Sequence, residues 1–591
     1  MLSLSPKHTL HLLYHISAEN ATYILLKMGT VHGKGTVGAM KKQGFLQGSA
    51  VLMASALIVK VMGAMFRIPL ANMLGGTGMG YFSAAYSIFM PVYAVSATGL
   101  PAAVSGCTAA YAAMGRDESE NIRRTALRLF GAVGVCACLV IMLGAYPFCK
   151  YISEDMRALP AVAAIAPSVI AGCLVSVYRG YYEGMRNMYP TAVSQTVEGA
   201  AKLVLGLSLC GMCLWAAREY PNSFLRIIGW KRGDAESAAV PYAAAAAVLG
   251  ITLSSWAGLI YIAAADRKMR GASHKNRGTS VGTGRILSDL LKIALPGAVG
   301  ALVTNLSSLI DLVTIMRSLG KLAESSPGYF SELIRAGVSA ENIPAFVYGS
   351  FTGLAVTLFN LVPSVTNMFG KSMLPAAAAA KAGGDRARLG ECSEQVLFVC
   401  ALVSVPAGAG MAAMAEPVLQ TLFYGRELEI IVCRQAAALL GLSVPLVCIS
   451  SSAFAVLQAA GRADIPVKLM GIGAVLKLVG NLLLVPVPGL GVSGAALSTL
   501  LCYVFICAAS VIMLRKHACL DEGRFISMLL RIISCGICCA AGAVFMKEFI
   551  GGAVEMRIAT LISCGFGGVV YVCFGALQGV FDRKKLQKLL K

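Results

Sequence analysis

Apolar residues along this chain fall in long runs separated by short polar breaks, without the strict alternation of a half-buried strand or the single stripe of a soluble surface helix. A helix crossing the hydrocarbon core of a bilayer needs about 20 apolar residues. Fourteen runs meet that length, at about 45–70, 80–104, 126–147, 159–178, 191–214, 240–264, 286–316, 344–368, 393–414, 430–457, 467–487, 493–514, 525–547 and 556–578. The pattern predicts an all-α integral membrane protein, and the runs are called spans one to fourteen below.

The spans repeat. Gly99-Leu100-Pro101-Ala102-Ala103 after span two matches Met373-Leu374-Pro375-Ala376-Ala377 after span eight. Gly184, Arg186 and Pro190 before span five are echoed by Gly461, Arg462 and Pro466 before span eleven, and Lys202-Leu203-Val204 within span five by Lys477-Leu478-Val479 within span eleven. Two six-helix halves follow, and because six is even both enter the membrane in the same orientation, as parallel repeats about an axis along the membrane normal. The expected organisation is a non-structural extension at 1–39, a six-helix lobe at 40–265, a cytoplasmic linker at 266–285, a second lobe at 286–514, and two extra helices with a basic tail at 515–591. Met40-Lys41-Lys42 opens directly onto span one, which makes Met40 the expected biological start and the stretch before it an upstream extension.

Composition removes the soluble alternatives. Of 591 residues, 57% are hydrophobic and 13% charged, against about 25% charged in an average soluble domain. The net charge of +21 would point to nucleic acid in a soluble protein. Here the basic residues lie mostly in the breaks between spans, where they set topology and place both termini in the cytoplasm. No nucleic-acid partner is expected. The 19 cysteines fall mostly inside apolar spans, where a thiol acts as a small hydrophobe. The string from Gly33 to Gly38 follows no strand and lies in the extension, so it makes no dinucleotide site. All six histidines lie outside the spans, so neither a metal nor a cofactor is expected, and no loop is long enough for an ATPase domain.

Charges at membrane depth are costly and mark candidate sites. Arg128, Lys292 and Arg531 lie within about two turns of span ends, from where they snorkel to the interface. Lys60, Arg67, Lys202 and Lys477 are deeper. Lys60, Gly63 and Arg67 stand at i, i+3 and i+7 on one face of the first helix, with Gly63 leaving space between two cations. Glu198 precedes Lys202 by four residues, the spacing of an intrahelical ion pair. Asn305, Ser308 and Asp311 form a polar stripe in span seven suited to an ion or proton, or to helix packing. Four deep cations against two deep acids, Glu198 and Asp311, favour an anionic substrate.

The run from Lys42 to Gly48, then Leu57-Ile58-Val59-Lys60-Val61-Met62-Gly63-Ala64-Met65-Phe66-Arg67-Ile68-Pro69-Leu70, Leu74-Gly75 and Gly78-Met79-Gly80, resembles the stage V sporulation protein B group of polysaccharide-biosynthesis flippases. That group belongs to the superfamily of lipid II flippases and multidrug and toxic compound extrusion (MATE) transporters. The resemblance implies a MATE-like fold of two six-helix lobes plus two helices, working by alternating access without catalysis. It implies a lipid-linked saccharide as substrate, an undecaprenyl diphosphate-linked peptidoglycan precursor for spore cortex or cell wall, with membrane lipids and cell-wall synthesis proteins as partners. Lipid II flippases carry basic residues in the first helix and cavity, which Lys60 and Arg67 match. Lys202 and Lys477 would add one contact from each lobe, facing each other across the cleft, with Glu198, Asn305 and Asp311 as coupling or polar-cavity residues. The rivals are a cation-coupled antiporter of the same fold and a non-transporting envelope-synthesis scaffold.

Overall fold

A computed structural model describes residues 45–114, 118–227, 235–270, 282–518, 520–552 and 554–581. The extension with Met40, most of the linker and the basic tail lie outside the described residues. Every regular element among the described residues is helical. Thirteen helical runs are long and apolar enough to cross a membrane, and the first, Val51–Ala112, carries both of the first two spans. At 1.5 Å per residue its 62 residues would be about 93 Å long if straight, three times the hydrocarbon thickness. The helix instead breaks at Gly75, whose φ of 65° and ψ of −172° are open to glycine alone at low cost. Fourteen predicted spans therefore appear as thirteen runs.

The local signals that start helices recur along the bundle. Proline occupies the first turn at Leu100–Ala113, Leu159–Ile165, Tyr189–Glu219 and Ile343–Ser350, where its missing N–H has no helical partner to lose. Asp385 and Asp521 cap the helices that follow them, accepting from the backbone N–H of Arg388 and Arg524 at 2.9 and 3.2 Å. All the described cysteines are free thiols.

Helix partners follow the repeat. Span five (Tyr189–Glu219) packs on span six (Ala235–Arg270) and on span one, as span eleven (Asp464–Leu484) packs on span twelve (Val492–Ala518) and span seven (Thr283–Ser325). Span four packs on spans two, three and six, and span ten on spans eight, nine and twelve. Spans thirteen and fourteen, Glu522–Ile550 and Met556–Leu577, pack on each other and on span nine. The two sets of six meet where spans one and two touch spans seven and eight. Spans two and eight each contain a π-helical turn, Ala94–Thr98 and Phe351–Ala355, an irregularity that recurs at functional sites.

At the end of the bundle that carries Gly75, the two sets are joined closely. Gly76 and Gly80 face Gly349 of span eight, and a Cβ on Gly80 would lie 2.4 Å from the Ala345 carbonyl oxygen. Beside this glycine seam Ser83 and Thr352 share a 2.8 Å hydrogen bond. The Glu429 carboxylate accepts from the Gly76 N–H at 3.1 Å and from Arg426 at 3.4 Å, and Arg426 also donates to the Asn72 carbonyl at 2.5 Å. Arg317 reaches Glu154 at 3.1 Å nearby. Toward the other end, the Tyr111 hydroxyl donates to Asp289 at 2.9 Å.

Candidate functional site

The deep cations of the first set converge on an aromatic ladder. Phe82, Tyr86, Phe89 and Tyr93 recur at helical spacing on one face of span two. Their rings are in serial contact, with centroids 4.9, 6.0 and 5.1 Å apart, and Phe66 of span one joins at 6.3 Å from Phe82. Lys202 of span five points its ammonium at this ladder. Nζ lies 5.0 Å from the Phe66 centroid and 5.8 Å from that of Tyr86, and donates to the Tyr86 hydroxyl at 3.3 Å. Among the described residues no carboxylate lies within ion-pair distance of Lys202. A cation over a ring face is attracted by the ring quadrupole, by about 0.5–2 kcal/mol depending on desolvation.

Arg67 is the second cation on the ladder. Its guanidinium carbon lies 6.0 Å from the Phe82 centroid, and its Nε is buried without a hydrogen-bond partner. An orphaned donor on a charged group costs more than about 1–3 kcal/mol, so the site is one that a hydrogen-bond acceptor would complete. Lys60, on the same helix face, is exposed, and nothing lies within 4 Å of where a Gly63 Cβ would be. The space expected between the two cations is therefore open. Lys60 and Arg67 border the exposed apolar face of span one formed by Leu57, Val61 and Met65.

The expected Glu198–Lys202 pair does not form. Glu198 accepts instead from Arg179 of span four at 2.8 Å and from the Ser255 hydroxyl of span six at 3.2 Å. Arg179 also donates through Nε to Ser194 at 2.9 Å. Ser194 and Glu198 stand one turn apart, so a planar fork entering from a neighbouring helix engages both at once, which a lysine point charge on the same helix cannot do. Arg179 was not singled out by the sequence because it stands at the end of a span, where basic residues are ordinary.

Lys477 differs from Lys202 in its partners. Its ammonium lies 2.6 Å from the Asp311 carboxylate of span seven. Asn481, one turn on from Lys477, donates to the other Asp311 oxygen at 3.0 Å and to Thr314 at 2.9 Å. The charge of Lys477 is thus paired within the protein, whereas that of Lys202 rests on rings. The stripe in span seven also divides. Asn305 donates back to the Ala301 carbonyl at 2.8 Å and Ser308 to the Asn305 carbonyl, so both serve their own helix and Asp311 alone reaches another span. Arg128, Lys292 and Arg531 are exposed on the outside of the bundle.

Comparison with known proteins agrees with this architecture. Residues 45–218 match the family described as polysaccharide biosynthesis protein. This is the family that the first two spans resemble. The chain is 24% identical over 550 residues to stage V sporulation protein B of Bacillus subtilis, covering 92% of each chain. It is 25% identical over 574 residues to the lipid II flippase MurJ of the same organism, covering 92% of this chain and 96% of that one. Among solved structures, an inward closed conformation of the lipid II flippase MurJ aligns with a TM-score of 0.59 at 12% identity, over 90% of this chain and 99% of that one. An inward-facing MATE family transporter aligns with a TM-score of 0.56 at 13% identity, over 81% of this chain and 98% of that one. The fold is that of the MATE and MurJ structures, and the chain is a multi-pass membrane protein.

Proposed function

We propose that the protein is a flippase that moves a lipid-linked saccharide between the leaflets of the cytoplasmic membrane by alternating access, with an undecaprenyl diphosphate-linked peptidoglycan precursor as its substrate. The observation that carries this reading is the pair Lys202 and Arg67, two deep cations held on aromatic rings with no carboxylate partner among the described residues. Such a site attracts an anion strongly, because no carboxylate among the described residues cancels its charge in a low-dielectric setting. Lys60 and the open space at Gly63 extend it toward the exposed apolar face of span one. A diphosphate can sit on these cations while its prenyl chain stays in lipid. The names of the relatives in Bacillus subtilis support the same substrate class.

The positive-inside pattern puts both termini in the cytoplasm, with loop 266–285 inside and loop 317–343 outside. The joined Gly75 end then faces outward, and the halves 40–265 and 286–514 act as the two moving lobes. Asp311, set between Lys477 and Asn481, is the residue we assign to coupling. A MATE-type cation-coupled antiporter is the weaker reading, since both deep acids are already paired with cations.

Reconstitution into vesicles with candidate lipid-linked saccharides, scoring transfer between leaflets, tests the function. Transfer of a diphosphate-linked saccharide that is lost in Lys202→Met is the expected result. Absence of transfer for every such substrate, with transport of organic cations instead, would reject it. Impermeant cysteine labelling in intact cells tests the topology, and labelling of loop 266–285 would overturn it.

A further inference from the structure

The diphosphate site proposed above also contains groups whose role is neither to bind the anion nor merely to fill the core. Phe66, Phe82 and Tyr86 occupy the places around Lys202 and Arg67 where counter-ions would normally stand. A deep ammonium without a partner would swing its four-carbon stem toward water. A carboxylate partner would fix the ammonium but cancel its charge, as Asp311 does for Lys477 at 2.6 Å. An aromatic face fixes a cation and leaves its charge and remaining donors available. The Lys202 ammonium uses one of its three donors on the Tyr86 hydroxyl, which leaves two for a ligand. The Arg67 Nε is buried and has no acceptor.

We propose that Phe66, Phe82 and Tyr86 are positioning residues that stand in for a counter-ion, holding Lys202 and Arg67 aimed at a diphosphate while keeping their charge uncancelled. The proposal rests on the anion-site reading, and it gives the ladder a role in substrate recognition. Phe66 and Phe82 are each only 2% exposed, so they act through the cations rather than by lining an open surface. Tyr86 is half-buried and in contact with Phe82, which links the two cations through one continuous stack.

Calorimetric titration of inorganic pyrophosphate into the full-length protein in detergent tests the proposal. The wild type should bind saturably, and Lys202→Met should lose that binding. Phe66→Leu and Phe82→Leu, which keep an apolar side chain but remove the quadrupole, should each weaken binding by about 3- to 10-fold. Tyr86→Leu should do the same, whereas Tyr86→Phe keeps the ring and should stay within about threefold of wild type. Tyr86→Glu, which supplies a real counter-ion, should weaken binding by at least about tenfold. A purely structural role for the rings would lower the melting temperature without separating Tyr86→Phe from Tyr86→Leu. Leu variants that bind as tightly as wild type, or a Tyr86→Phe no better than Tyr86→Leu, would overturn the positioning role and leave the anion site standing. A wild type that does not bind pyrophosphate would overturn both. Farnesyl diphosphate is the second probe and should bind more tightly than pyrophosphate, because span one offers an apolar face beside the cations. Equal affinity would reject a lipid-linked ligand.

Discussion

Lys202 and Lys477 stand at matching points of the internal repeat, on spans five and eleven, and each meets the first span of its own set. Lys202 meets span one through Phe66, and Lys477 meets span seven through Asp311. One lysine therefore sits over rings and keeps its charge, while the other is neutralised at 2.6 Å. An anion arriving at Lys477 would have to displace a carboxylate in a low-dielectric interior, where truncating one partner of such a pair costs about 3–5 kcal/mol. At Lys202 there is no carboxylate to displace, and the ring contacts, worth about 0.5–2 kcal/mol, leave two ammonium donors available. The same residue in the same place of a repeat thus rests on rings in one half and on a carboxylate in the other, and the partner on the adjacent helix decides which.

The largest effect expected from this contrast is on stability. Asp311→Ala leaves Lys477 buried without its partner and should destabilise the protein by about 3–5 kcal/mol, while adding Lys477→Met should restore most of the loss. Lys202→Met, which removes a charge that has no carboxylate to orphan, should melt close to wild type. Melting of the purified variants in detergent measures all three. Equal losses in Asp311→Ala and Lys202→Met would erase the distinction between the halves.

Substrate handling should show the opposite ranking. Lys202→Ala and Arg67→Ala each remove a charge-assisted contact worth about 1.5–3 kcal/mol, so half-saturation in the vesicle assay should rise by about one to two decades at normal abundance. The double variant Asp311→Ala with Lys477→Met should lower the transport rate and leave half-saturation unchanged, because its charges cancel in the wild type. A shift in half-saturation as large as that of Lys202→Ala would return Lys477 to the anion site.

Smaller changes sharpen the geometry on span one. Arg67→Lys should fall between wild type and Arg67→Ala, about 3- to 10-fold weaker than wild type, since a point charge replaces a fork able to hold two phosphate oxygens. Gly63→Ala should be nearly silent, within about 0.5 kcal/mol in stability, because its Cβ meets nothing within 4 Å. Gly63→Leu should cut transport at normal abundance if the space beside Gly63 is where the anion lies. Normal transport in Gly63→Leu would place the anion elsewhere.

Much of the architecture is legible in the chain because membrane spans announce themselves by length and composition alone. The run through Gly75 shows where that reading stops. Two spans were expected there, and two are present, but the connection is a break at one positive-φ glycine rather than a loop, and its local geometry depends on Arg426 and Glu429 far along the sequence. Lys60, Gly63 and Arg67 were readable as one face because helical spacing is local. The partner of Glu198 was not, since an i to i+4 lysine and an arginine from another helix compete for the same carboxylate, and only the packing of span four on span five places Arg179 within 2.8 Å.

The sequence by itself determined the helical class, the spans and their repeat, since all of these follow from hydrophobic run lengths and helix periodicity, which need no knowledge of neighbours. Only the tertiary structure decided which charges remain available. Desolvation acts on every deep ion alike, and whether it is offset by a ring, a carboxylate or a hydroxyl depends on which side chain of another span packs beside it. That is why four deep cations look equivalent along the chain, and why the fold separates Lys202 and Arg67 on aromatic rings from Lys477 closed against Asp311.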